Sequence, residues 1–133
     1  MENRTSPDSI EKVAENEVFV FGSNESGRHG KGAAKQALTW GAKYGQAAGL
    51  QGRTYGIPTK NASVTKPLTL DKIQKYADEF IDFAISRPEL TFLVTEIGCG
   101  LSNYEPKDIA PLFERAKDVQ NIHLPRRFWK KLI

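Results

Sequence analysis

Apolar and polar positions along this chain follow two rhythms, and the switches between them mark out the elements. The run VFVF at 18–21 is β-branched and aromatic and stops at Gly22, the pattern of a short strand buried on both faces. Ala33, Ala34, Ala37, Leu38, Trp40 and Ala42 follow, and their mostly small side chains predict a helix able to pack closely. RTYGIPT at 53–59 reads as a second strand, with Pro58 near its exit, where a missing N–H does little harm. Beyond a loop over residues 60–67, Ile73, Tyr76, Ala77, Phe80, Ile81 and Ala84 recur on one face of the clearest amphipathic helix. LTFLVTEI at 90–97 predicts the central strand and ends at Gly98. Pro106 suits the first turn of a helix through Ala110, Leu112, Phe113 and Ala116, and NIHL at 121–124 is a last short strand stopped by Pro125.

This alternation predicts an α/β fold of three layers, with a largely parallel central sheet and helices on both faces. Ligands of such sheets bind outside the carboxyl ends of the strands. Three loops leave those ends, at residues 22–32, 59–67 and 98–104.

Composition narrows the picture. A length of 133 residues suits one domain, read as a flexible N-terminus over residues 1–7 and a single domain over 8–133. With 39% hydrophobic and 26% charged residues, neither general disorder nor a membrane span is expected. The start lacks the basic and apolar stretches of a secretory signal, which predicts a cytoplasmic chain. One cysteine, Cys99, cannot form an internal disulfide, and two histidines leave little for a Cys/His zinc site, so no metal and no cofactor is expected. The net charge of +3 favours an anionic ligand. In the tail PRRFWKKLI, Arg126, Arg127, Lys130 and Lys131 either touch phosphates or solvate a short closing helix that buries Phe128 and Trp129.

The first loop, GSNESGRHGKG, places Gly22, Gly27, Gly30 and Gly32 ahead of a helix, so that backbone N–H groups can approach an anion. Gly22 and Gly27 have the GxxxxG spacing, but Arg28-His29 follows where a phosphate-binding loop of the Walker type needs Lys and Ser/Thr. That excludes a Walker NTPase, and the GxGxxG dinucleotide fingerprint is also missing. The other loop, IGCGLSNY, again follows a strand, and its glycines can wrap the far side of a diphosphate or simply make tight turns.

VFGSNESGRHGKGAAKQA resembles the first ligand loop of macro domains, and IGCGLSNY resembles their second. IPTK and IGCGL are similar to the strand-end Thr-Lys and Gly-Cys-Gly-Leu signatures of one branch. That branch includes the terminal ADP-ribose protein glycohydrolases and the antitoxin-type DNA ADP-ribosyl glycohydrolases. The similarity runs from about Glu17 to Pro125.

The resemblance implies a macro-like domain that binds ADP-ribose and hydrolyses ADP-ribosyl linkages or ADP-ribose derivatives. The alternative is a module that recognises or sequesters ADP-ribose or a related nucleotide without turnover. ADP-ribosylated protein or nucleic acid is the partner class implied, and no membrane. By the same resemblance Asn24 holds the distal ribose, Gly30 and Gly32 lie against it, and Gly98, Cys99, Gly100 and Leu101 line the phosphates. Gly22, Ser23, Gly27, Thr59 and Ser102 complete the ligand-binding set, with His29 and Tyr104. Lys60 and Asn24 are the catalytic candidates.

Lys60 takes the place of the lysine that attacks the anomeric carbon, a role open to a partly desolvated amine. A cation pairing with phosphate is the other reading. The chain departs from the branch at Ser102, where the hydrolases carry an Asp, and a serine cannot act as a carboxylate acid or base. Glu25, Glu96 and Glu105 are alternative carboxylates, each equally explained as a solvated or helix-start charge. Asp8 is the nearest acidic candidate for the adenine end. His29 either exchanges a proton at the ribose or sits in solvent. Cys99 is a nucleophile or a small buried hydrophobe, and Tyr104 covers the ligand or caps the core.

Overall fold

The computed structural model describes residues 4–100 and 102–133. Its strands are β1 (Thr5–Ser6), β2 (Glu17–Asn24), β3 (Gly49–Gln51), β4 (Thr54–Lys60), β5 (Thr91–Val94) and β6 (Ile122–Pro125). Its α-helices are α1 (Gly32–Ala37), α2 (Leu70–Ser86), α3 (Pro106–Ile109) and α4 (Arg126–Leu132). The six strands lie in the order β1-β6-β5-β2-β4-β3. All neighbours are parallel except β3 against β4, so the fold is α/β with a mostly parallel mixed sheet. No helix among the described residues is long and apolar enough to cross a membrane.

Side chains alternate across the sheet, which divides the core in two. Val18 and Val20 of β2, Ile57 of β4 and Phe92 and Val94 of β5 pack with Phe80 of α2 and Phe128 of α4. Phe19 and Phe21 of β2 and Leu93 of β5 pack on the other side with Ala34 and Ala37 of α1, Ile10 and Val13. Burial on both faces is why β2 reads as an unbroken apolar run rather than an alternating one. The helix with the strongest pattern, α2, is capped by Thr69, whose hydroxyl accepts from Lys72 N at 3.3 Å, and it buries Ile73, Ala77, Phe80, Ile81 and Ala84. Truncating Phe80 to Ala costs about 3–5 kcal/mol on the usual scale for buried aromatics.

Two expected helices differ in form. The helix expected through Ala42 ends at Ala37 and tightens into a 3₁₀ turn, Leu38–Trp40, stopped by Gly41 at φ +108°. Leu38 is consequently exposed. The helix starting at Pro106 is α-helical only to Ile109 and runs on as 3₁₀ turns over Ala110–Asp118. Pro111 lacks the N–H that an α-helix would spend on the carbonyl four residues back. The tail is a helix, α4, which buries Phe128, Trp129 and Leu132 and leaves its four cations exposed.

Two edge strands carry no periodic signal because each is too short to show one. β3 is the antiparallel edge, and it ends opposite Gly56, so Pro58 faces no neighbour on that side. β1 falls within the segment expected to be loose. Arg4 is buried and donates from its guanidinium to the carbonyls of Ala116, Lys117, Val119 and Ile122, while Ser6 Oγ donates to Val94 O at 2.6 Å. One guanidinium thus satisfies orphan carbonyls at the end of the 3₁₀ segment and anchors the strand.

Candidate functional site

The carboxyl ends of β2, β4 and β5 open into one cleft of about 600 Å³. Its first wall grows from Asn24, where the β2–β4 register shifts. The Asn24 side chain is buried and turns inward on its own loop: Oδ1 accepts from Arg28 N at 2.8 Å and Ser26 Oγ at 2.9 Å, and Nδ2 donates to Arg28 O at 2.7 Å. Loop closure accounts for the asparagine without a ligand, and one amide N–H is left to offer one.

Gly27 does not line the cleft. It sits at φ +72°, and an added Cβ would lie 2.5 Å from the Gln46 nitrogen. Its absent side chain lets the segment around Gly45 dock, with Gly45 N donating to Gly27 O at 2.8 Å and Ser23 Oγ to Ala47 O. His29 is neither in the cleft nor in solvent. It is 1% exposed, with its ring 5.3 Å from Phe21 and 6.1 Å from Tyr44, and neither ring nitrogen has a hydrogen-bond partner among the described residues.

The opposite wall is the loop after β5. An added Cβ on Gly22 would lie 3.5 Å from Gly98 N, so the two glycine loops face each other closely. Gly30 and Gly100 line the cleft, and among the described residues nothing lies within 4 Å of a Cβ added to either. Gly32, at φ +58°, completes this glycine lining. Thr59 and Ser102 meet across the floor, hydroxyl to hydroxyl at 2.9 Å, and both are buried. Cys99 and Tyr104 do not line the cleft. Cys99 packs against the core, where burial first and Glu96 second push its thiol up to about 11. Tyr104 donates to Leu68 O at 2.6 Å and likewise backs the core. Leu101 lies outside the described residues.

Charge is unevenly distributed. Lys60 lines the cleft at the end of β4, with Arg28 and Lys31 from the first loop, and none of the three has an ion pair among the described residues. Among the described residues the only carboxylate on the lining is Glu96, gripped by Arg127 through Nε at 2.7 Å and a terminal nitrogen at 2.6 Å. That hydrogen bonding holds the Glu96 carboxyl below its ordinary range. Glu25 instead accepts from Tyr76 OH at 3.1 Å, and Glu105 caps α3.

Compared with protein-family models and with curated proteins, the chain matches none. Its site therefore rests on geometry. A second hollow of about 470 Å³ adjoins the first through Ala33, Thr95 and Glu96 and carries Asp8, Arg126 and Arg127. Asp8 follows β1 and pairs with Arg126 at 3.4 Å. Sequence reasoning missed Arg28, Lys31 and Tyr44 as lining residues. The two cations were legible as basic residues inside a glycine loop, but nothing local marks Tyr44.

Proposed function

We propose that the cleft binds ADP-ribose or a closely related nucleotide in the manner of macro domains. The diphosphate lies between the facing glycine loops, and the distal ribose lies beside Asn24, Gly30 and Lys60. The observation that carries this reading is the bare backbone of Gly30 and Gly100 on opposite walls of a cleft whose unpaired charges are all positive. Amide hydrogens can approach phosphate oxygens only where no Cβ intervenes, and Arg28, Lys31 and Lys60 supply the countercharge. The adjoining hollow, with Asp8 on its rim, gives the adenine a place to extend.

Hydrolysis is the second reading, favoured by Lys60, a primary amine on the cleft wall with no ion pair among the described residues. Its nitrogen would bond to the anomeric carbon as the bond to the attached group breaks and that group leaves with a proton; water would then displace the lysine nitrogen from that carbon, freeing ADP-ribose and restoring the amine. The cleft offers little to deliver the proton. Ser102 is committed to Thr59, and Glu96 is held as a carboxylate by Arg127. Binding is therefore the primary activity and turnover the slow one.

Calorimetric titration of ADP-ribose, followed by incubation with ADP-ribosylated protein and DNA, tests both. Saturable one-to-one binding is expected, with slow release of ADP-ribose that Lys60→Ala abolishes while binding survives. No heat at millimolar nucleotide overturns the binding reading, and unchanged release by Lys60→Ala removes the lysine from the chemistry.

A further inference from the structure

Tyr44 is 66% exposed, and of the exposed large apolar side chains Leu38, Tyr44, Ile85 and Ile133 it alone lines the main cleft. An exposed aromatic ring on a loop normally has freedom to move. This one is held from behind. The segment bearing it is docked by Gly27, whose missing side chain admits the Gly45–Gln46 backbone, by the Gly45 N to Gly27 O hydrogen bond, and by Ser23 Oγ on Ala47 O. Its ring meets His29 edge-on at 69°, and His29 in turn meets Phe21 at 83°. His29 fills that position with both nitrogens buried and unpartnered, so this support is kept at a desolvation cost that an aliphatic side chain would not incur. A rigid ring with an open face at a ligand cleft is a stacking platform, because planar rings gain contact and quadrupole interactions there without ordering the protein further.

Tyr44 lies on the side of the cleft formed by the first glycine loop, its ring 6.1 Å from that of His29, which Arg28 and Gly30 flank in sequence. In the pose proposed above this is the distal-ribose side, so whatever that ribose carries meets the tyrosine. We infer that the cleft selects dinucleotides over bare ADP-ribose, with the second planar ring, borne by the distal ribose, stacked on Tyr44. This rests on the nucleotide reading and adds the ligand class and the residue that sets it.

The test is titration of the full chain with ADP-ribose, oxidised nicotinamide adenine dinucleotide and diadenosine diphosphate. The last two present a cationic and a neutral second ring. Both dinucleotides are expected to bind about tenfold more tightly than ADP-ribose, the scale of one ring stacked on an aromatic side chain. Tyr44→Ala removes that advantage, bringing both dinucleotides to the affinity the same variant shows for ADP-ribose, and Tyr44→Phe retains it. ADP-ribose binding with no dinucleotide advantage, or an advantage that survives Tyr44→Ala, overturns this inference alone. Failure of all three ligands to bind overturns the nucleotide reading itself.

Discussion

At the end of the main cleft that adjoins the second hollow Glu96 is gripped by Arg127, and in that hollow Asp8 pairs with Arg126; elsewhere on the cleft lining Arg28, Lys31 and Lys60 have no ion pair among the described residues. The first end is electrostatically finished and serves as a wall. The second set of charges has no such partner, and it shares the cleft lining with bare glycine backbone and the exposed Tyr44. Counting basic residues would rank the arginine-rich tail above the glycine loop. What distinguishes them is that Arg126 and Arg127, the tail cations bordering the hollows, already face carboxylates, while the cations of the glycine loop do not.

The sharpest way to break this comparison is to disturb the docking beneath the unpaired end. Gly27→Ala places a Cβ on the Gln46 backbone at a positive φ and is expected to cost about 2–4 kcal/mol, combining left-handed strain and overpacking. Denaturant melts should register that loss together with loss of nucleotide binding. Gly30→Ala, with open space around it, should keep stability within about 0.5 kcal/mol. Equal stability of the two variants would mean that Gly27 does not pin the segment carrying Tyr44.

Charge removal sharpens the contrast at intermediate size. Arg28→Gln combined with Lys31→Gln is expected to weaken ADP-ribose binding by about tenfold or more at low salt, the scale of hydrogen bonds to charged groups. Arg126→Gln should change it by less than about twofold, since that guanidinium is exposed and already faces Asp8. Similar losses in both variants, read by calorimetry at two salt concentrations, would erase the distinction between the ends.

The smallest effect concerns pH. Because Arg127 depresses the folded carboxyl of Glu96, their pairing contributes stability above the unfolded value near 4.5 and loses it as pH falls through the lower folded value. Both side chains are partly exposed, so the contribution should stay below about 1 kcal/mol. Glu96→Gln should flatten that part of the acid limb in stability measured against pH, and an unchanged limb would show that the pair contributes nothing.

Much of the architecture was legible because it rests on local rules. Runs buried on both faces announce parallel strands, and the 73–84 periodicity announces α2. The strand-end glycines of the first and last candidate loops were visible for the same reason, since a residue without a side chain is conspicuous where chain direction changes. Their division of labour was not legible. Gly27 and Gly30 look alike in sequence, yet one admits the Gly45–Gln46 backbone and the other opens to the cleft. Likewise His29 reads as meeting a ligand or solvent and Tyr104 as covering a ligand or capping the core, and only the fold places His29 beneath Tyr44 and chooses the core, against Leu68, for Tyr104.

From residue order alone followed the α/β class, the mostly parallel sheet and the strand ends at which a ligand should be sought, because backbone sterics and side-chain periodicity act over a few neighbouring residues. Tertiary packing decided which residues at those ends remain available. Asn24 closes on its own loop, Thr59 binds Ser102 across 43 positions of sequence, Arg127 reaches Glu96 across 31, and Tyr44 reaches the cleft from a segment with no periodic signal. Hydrogen-bond partners and exposed faces are settled through space, where sequence separation imposes no ordering.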